Sequence, residues 1–337
     1  MKIETENENS PSQTLEIDYV FGYRSYDCRN NVKFDSKGNV IYHQAAIGIV
    51  MNPKKNTQKF ITEHHDDISC LDVVGDCAVT GEVGSKPTIM MWETKDDNED
   101  GVLKKKLIIS EGLKGSVGNI CLSESRNLIA AVCNDEGHKL IIYDCKKLLE
   151  KQENPLIEDN GIISEGTATK NVVFDVRFTL KETKIALATL REVIFVTFSK
   201  GDLNANRGDF GNFTVSGAMC LLPLECDIKN ERQKLMLSGM GNGSIYFWNE
   251  EKCVRAVCGH TGSVSALAAR KDAKSFISGD KSGLIIVWNN QLKKERTVKI
   301  PKTNCPSNMI VSLSTNDHKE MMVGTKASDI FILGLND

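Results

Sequence analysis

The three tryptophans constrain this chain more than any other feature, because each one ends a short β-type run. The runs are Thr88–Trp92 (TIMMW), Ser244–Trp248 (SIYFW) and Leu284–Trp288 (LIIVW). Upstream of the last lie Gly259-His260, then Ser263–Leu267, then Ser275–Gly279, then a turn at Lys281–Gly283, so His260 stands 28 residues before Trp288. The same order recurs from His64-His65 through Asp67–Leu71 and Ala78–Gly81 to Trp92. Three strands joined by tight turns, closed by an aromatic residue, form one repeated unit.

Trp248 and Trp288 are 40 residues apart, within the ~40–45 expected of a four-stranded propeller blade of the WD-repeat type. With that template, weaker copies emerge. Val117–Cys121, Leu128–Val132 and Lys139–Tyr143 form one, with Tyr143 in the tryptophan place; Val172–Phe178, Ile185–Ala188 and Val193–Val196 form another. Val215–Leu222 and Leu235–Gly239 lead into the Trp248 strand, Met309–Leu313, Glu320–Gly324 and Asp329–Leu333 come last, and Asn31–Phe34, Val40–Tyr42 and Ala46–Val50 come first. The count is seven, so 337 residues divide into units of about 48, lengthened by polar loops at 96–106, 150–170 and 200–212. The expected fold is therefore all-β: a single seven-bladed propeller over residues 32–337, where length alone would have suggested two domains. The last triplet lacks an outer strand, and an open edge invites aggregation. Residues 15–20 (LEIDYV) alternate with β period and are expected to supply that strand, with 1–14 as a polar tail and 15–31 as a closing segment.

Composition narrows the function. A net charge of −3 supplies no field for nucleic acid or anionic lipid, and there is neither a signal-peptide h-region nor about 18 continuous apolar residues. Eleven scattered cysteines without a C-x-x-C pair read as reduced, buried thiols in a cytosolic protein. The glycine-rich stretches Gly81–Gly84 and Gly239–Gly243 lack a following Gly-Lys-Ser/Thr and a helix, so they are hairpin turns and not phosphate loops. His64-His65-Asp66-Asp67 has no further convergent ligands and reads as intra-blade bonding. His260 is expected to bond with Ser278 and Trp288 in a buried network. Repeats of this type place an Asp six residues before the tryptophan; Asn242 and Ser282 stand there, so the relay is expected to be incomplete. No catalytic residue, cofactor site or metal site is expected, and no small-molecule substrate. Lys104, Lys105 and Lys106, beside the acidic run 96–100, form a polar loop tip that is a partner-contact candidate.

Residues 21–31 read FGYRSYDCRNN. Gly22, Tyr23, Arg24, Asp27, Cys28, Arg29, Asn30 and Asn31 stand in the order of the hydrophobic motif preceding the blades of echinoderm microtubule-associated protein-like proteins, and the segment resembles it. Thr80–Pro87, Asn134–His138, Asn171–Phe174 and Gly208–Gly211 also resemble that family's first propeller, so the likeness runs from about residue 15 to 333. Arg24, Asp27 and Arg29 admit a partner-binding reading, but opposite charges that can pair among aromatic neighbours read as fixing local structure; the resemblance implies a structural role for 21–31 and a non-enzymatic scaffold binding tubulin or microtubule-bound proteins through propeller loops. The implied location is cytoplasmic and cytoskeletal, with the ciliary axoneme as one lattice supplying avidity. Family members typically carry a second propeller and many a coiled coil, so this chain is either a half-length member or a piece of a longer one. The competing class is a generic WD-repeat adaptor in ubiquitin ligation, trafficking or signalling, with no microtubule role.

Overall fold

A computed structural model describes residues 16–95, 103–228, 231–270, 275–289, 291–301, 305, 307–317 and 319–335. Seven antiparallel sheets make a seven-bladed β-propeller, six with four strands and the last with three. Blade one is β1 (Lys33–Phe34), β2 (Val40–Gln44), β3 (Ile47–Asn52) and β4 (Thr57–Ile61); blade two is β5 (Ile68–Val74), β6 (Cys77–Glu82), β7 (Ile89–Glu93) and β8 (Lys105–Ile109). Blade three is β9 (Val117–Leu122), β10 (Leu128–Cys133), β11 (Lys139–Asp144) and β12 (Ile162–Thr167); blade four is β13 (Val173–Phe178), β14 (Lys184–Thr189), β15 (Val193–Ser199) and β16 (Asp202–Arg207). Blade five is β17 (Ala218–Ile228), β18 (Glu231–Met240), β19 (Ser244–Asn249) and β20 (Lys252–Cys258); blade six is β21 (Val264–Ala269), β22 (Phe276–Asp280), β23 (Leu284–Trp288) and β24 (Lys294–Lys299). Blade seven is β25 (Ile310–Thr315), β26 (Glu320–Thr325) and β27 (Ile330–Gly334).

The first strand of each blade is innermost. Both faces of the middle strands are buried, which is why β6, β19 and β22 read as continuous apolar or small runs. Outer strands such as β16 (DLNANR) and β24 (KERTVK) are largely exposed. β16 falls within the polar loop expected at 200–212 and β24 in a stretch expected to hold no strand, because a strand with one side in water and no apolar run gives little period-two signal. Blade three holds the one helix among the described residues, α1 (Cys145–Glu153). Asp144 caps it by accepting from the amides of Lys146 and Lys147, and Leu148 is buried against the second and third blades. That stretch, too, lies partly in an expected loop.

Neighbouring blades are stitched by a recurrent device on the innermost strands. Ser69 Oγ donates to the Val117 carbonyl (2.6 Å), Asn119 Nδ2 to Val173 (2.9 Å), the Cys220 thiol to Val264 (3.6 Å) and Ser265 Oγ to Ile310 (2.6 Å). Each satisfies a carbonyl at the start of the next inner strand, which would otherwise be orphaned where no ladder continues.

Ring closure differs from the expectation. Residues 16–20 do not pair with β27, and Leu15 and the expected tail 1–14 lie outside the described residues. The Gln58 amide side chain accepts from the Val20 amide (2.8 Å) and donates to its carbonyl (3.0 Å), and Tyr19 Oη donates to Asn56. These bonds lay the segment along blade one and leave no free main-chain pair at Val20 for a ladder. Closure comes instead from residues 23–34. The Val32 amide donates to Ser312 Oγ (3.1 Å), which donates back to the Val32 carbonyl (2.7 Å); the Asn30 amide donates to the Val311 carbonyl (2.8 Å) and the Phe34 amide to Ser314 Oγ (3.0 Å). Tyr23 Oη donates to the Thr325 carbonyl (2.6 Å), and Tyr23, Val32 and Phe34 are buried with Met322 of blade seven.

Candidate functional site

Two buried histidine networks stand within single blades. In blade six, His260 Nε2 meets Ser278 Oγ (2.7 Å), which accepts from Trp288 Nε1 (2.7 Å), while His260 Nδ1 meets Asp280 Oδ2 (3.0 Å). The relay is therefore complete, against the expectation, because its acid is Asp280 on β22 and not a residue at position 282. Ser282 instead donates its amide and hydroxyl to Asp280 Oδ1 (both 2.8 Å), the local turn bonding usual for Asp. In blade two His64 bonds Thr80 Oγ1 (2.7 Å) and Glu82 Oε2 (2.8 Å), and Trp92 Nε1 donates to Thr80. Burial holds both imidazoles below their ordinary pKa, with Asp280 and Glu82 opposing it. Blade five keeps the Trp248–Ser238 bond (2.8 Å), but Met240 Sδ takes the acid's place. Tyr143 occupies the tryptophan place of blade three and donates to the Glu111 carbonyl. Every polar atom of the His260 and His64 rings is thus used inside its own blade. Among the described residues no group of three His, Cys, Asp or Glu is placed to hold a metal ion.

The central channel carries a second network. Arg177 on β13 donates from Nη1 to Asp72 on β5 (2.9 Å) and lies 3.3 Å through Nε from Asp175. Asp72 also accepts the Leu122 amide (3.0 Å) and Asp175 the Leu221 amide (2.8 Å), so three side chains tie the inner strands of blades two to five. Burial works against ionisation of Asp72, but Arg177 and Lys33 outweigh it and hold that carboxyl below its usual range; at Asp175 burial wins and raises it. Lys33, on β1, is pushed down to about 8, by burial first and by Arg177 second.

Residues 24–31 cross one mouth of this channel, at the starting ends of the inner strands. Arg24 grips Asp27 in a two-pronged pair (2.8 and 2.7 Å) and donates to the Ile68 carbonyl. The Cys28 thiol donates to the Ser69 carbonyl, and Asn31 Nδ2 bridges the Arg24 carbonyl and His43 Nε2. Arg29 does not share in this pairing. Its guanidinium stacks over Phe174 at 5.4 Å, and its buried Nη1 has no hydrogen-bond partner among the described residues. It lines a cavity of about 310 Å³ together with Asp27, Asn119, Asn134, Phe174 and Asp175. It also lines an adjoining constriction by Cys220 and Ser265.

The sequence candidates are thus dispersed. Gly22 lies on the approach to the mouth with a φ of 78° that suits glycine, Tyr23 and Asn30 fasten the closure to blade seven, Asn31 ties the segment to His43 of blade one, and Arg24, Asp27 and Arg29 stand at the mouth. Lys104–Lys106 lie on the rim of blade two, where Lys105 pairs with Glu63 and Lys106 with Glu93, and 96–100 is outside the described residues. The channel hub of Asp72, Asp175 and Arg177 was not singled out from the sequence. Its only signal is an Asp or Arg inside an otherwise apolar inner strand, as in VFDVRF.

Comparison with known proteins agrees with this architecture. The HELP motif matches residues 10–49 and the WD domain, G-beta repeat matches 251–289, so the chain carries a HELP motif and a WD repeat. The ciliary WD repeat-containing protein ctxp80 of Euplotoides octocarinatus is 27% identical over 87% of this chain and 41% of its own length. Echinoderm microtubule-associated protein-like 2 of Rattus norvegicus is 22% identical, covering 96% and 48%, and the 77 kDa echinoderm microtubule-associated protein of Lytechinus variegatus is 24% identical, covering 95% and 46%. The chain spans a little under half the length of these curated relatives.

Proposed function

We propose that this chain is a non-enzymatic WD-repeat scaffold that associates with microtubules or with proteins bound to them, in the cytoplasm or on a ciliary axoneme. The observation that supports this most is the extent of the likeness: proteins named for microtubules and cilia align over nearly the whole propeller and the segment before it, not over one blade. The geometry is compatible with a recognition disc. The relay histidines are consumed by internal bonds, whereas loops and a cavity are offered at the channel mouth. With a net charge of −3, capture of acidic tubulin tails by bulk charge is not the mechanism, so specific contacts carry the association. Co-sedimentation of the purified chain with microtubules at physiological salt tests direct binding. Saturable enrichment in the pellet is expected; its absence, with recovery of the chain alongside axonemal proteins from extract, would redirect the reading to a co-assembling subunit.

A further inference from the structure

Arg29 is held unusually firmly for a side chain that lacks a full set of partners. Its neighbours are pinned on both sides, Cys28 by its thiol bond to Ser69 and Asn30 by its amide bond to Val311, and the guanidinium rests on Phe174. A buried guanidinium N–H without an acceptor is costly, and one fixed in place at a cavity is preorganised for an anion. The two carboxylates lining the same cavity are already engaged, Asp27 by Arg24 and Asp175 by Arg177. They would repel a phosphate dianion but leave room for the single charge of a carboxylate. Around the cavity the same face of the ring exposes apolar side chains: Tyr26 (68% exposed), Val172 (49%), Leu190 (57%) and Val215 (66%). Tyr26 and Val172 line the cavity, Leu190 follows the end of β14 that pairs with the start of β13, and the Leu190 carbonyl packs against Gly217, beside Val215. Apolar groups ringing a fixed charged donor are the pattern of an interface anchor with its rim.

We propose that the channel mouth is a docking site for an aspartate or glutamate side chain carried on an apolar segment of a partner protein, with the Arg29 guanidinium donating to the carboxylate and Tyr26, Val172, Leu190 and Val215 packing on its neighbours. The site rests on the scaffold reading only in treating the ring as a recognition module. Failure to pellet with microtubules leaves it standing, and its own failure leaves that experiment untouched.

Panning a random heptapeptide display library on the full chain, followed by fluorescence-polarisation titration of the selected peptides, tests it. Selected peptides are expected to carry Asp or Glu flanked by apolar residues. Arg29→Gln should weaken them about ten- to a hundred-fold, the worth of a charge-assisted hydrogen bond, and replacing the peptide's acidic residue by its amide should cost a similar factor. The exposed double variant Leu190→Asp, Val215→Asp should weaken binding by like-charge repulsion without moving the melting temperature, and it decides the matter if Arg29→Gln does not fold. Selection of peptides without acidic residues, no selection at all, or affinity unchanged by these variants would overturn the proposal.

Discussion

The junction between blades six and seven and the junction between blades seven and one join similar sheets by different means. At the first, the chain itself runs from one blade to the next, and side chains reach across beside the apolar packing: Ser265 to the Ile310 carbonyl, Thr315 to the Ala269 carbonyl and Arg296 to the Gly334 and Leu335 carbonyls. At the second, the partners are separated by 280 residues or more of sequence, and the junction carries bonds from Tyr23, Ser25, Asn30, Val32 and Phe34, with Ser312 serving both the donor and the acceptor of one residue. Glycine marks both: a Cβ on Gly279 would stand 2.7 Å from Ile310, and one on Gly324 would stand 2.9 Å from the Tyr23 hydroxyl. Where continuity of the chain does not hold two blades together, bonds to the main chain of the closing segment do.

The largest expected effect separates the two serines. Ser312→Ala strips both main-chain groups of Val32, which is fully buried, and should cost about 3 kcal/mol, whereas Ser265→Ala orphans one carbonyl and should cost about 1–2 kcal/mol. Denaturant midpoints measure both, and equal losses would break the comparison. Acid should come next. His43 lies under the closing segment, and burial first, with Arg24 second, lowers its pKa to about 3. The unfolded chain therefore binds a proton near pH 6.5 that the folded ring refuses, so this stability is full above pH 6.5 and declines as pH falls, by about 2 kcal/mol at pH 5. The buried neutral His64 and His260 act in the same direction. Hydrogen exchange at pH 5 and 7.5 should show the greater loss of protection at residues 23–34; uniform loss around the ring would assign the effect to the relays instead. Tyr23→Phe removes one bond, to the Thr325 carbonyl, and should lower stability by about 1 kcal/mol in the same denaturation assay. Smallest is charge reversal at Lys104, Lys105 and Lys106. These lie on the rim of blade two, Lys105 and Lys106 in surface pairs, and a change beyond about 1 kcal/mol in total would be unexpected.

Seven strand triplets and the aromatic place that closes several of them were legible in the sequence because inner and middle strands are apolar in short, evenly spaced runs. The outer strands were not: β16 and β24 face water and carry no apolar run to read. The alternation at 15–20 misled because six residues of period two specify a strand but not its partner, and here Gln58 holds the main chain of Val20 in place of a neighbouring strand. Position counting from the tryptophan missed Asp280, since what the relay needs is an acid within reach of His260 Nδ1, and Glu82, longer by one methylene, does the same for His64. Pairing of Arg24 with Asp27 could be read from their spacing of three. The isolation of Arg29 could not, because it depends on the distant Phe174 and on which acids Arg177 already occupies.

The separation of Val32 from Ser312 also sets a timetable. Bringing groups 280 residues apart together costs about 5 kcal/mol of chain entropy if nothing between them is ordered, so blades two to six are favoured to form before the closure. On a ribosome adding about 5–20 residues per second, Tyr23, Val32 and Phe34 would wait on the order of 15–60 s for the blade that covers them. During that interval a nascent chain leaves the side chains of Tyr23, Val32 and Phe34 without their cover from blade seven, which makes blade one the place where a chaperone would be needed most.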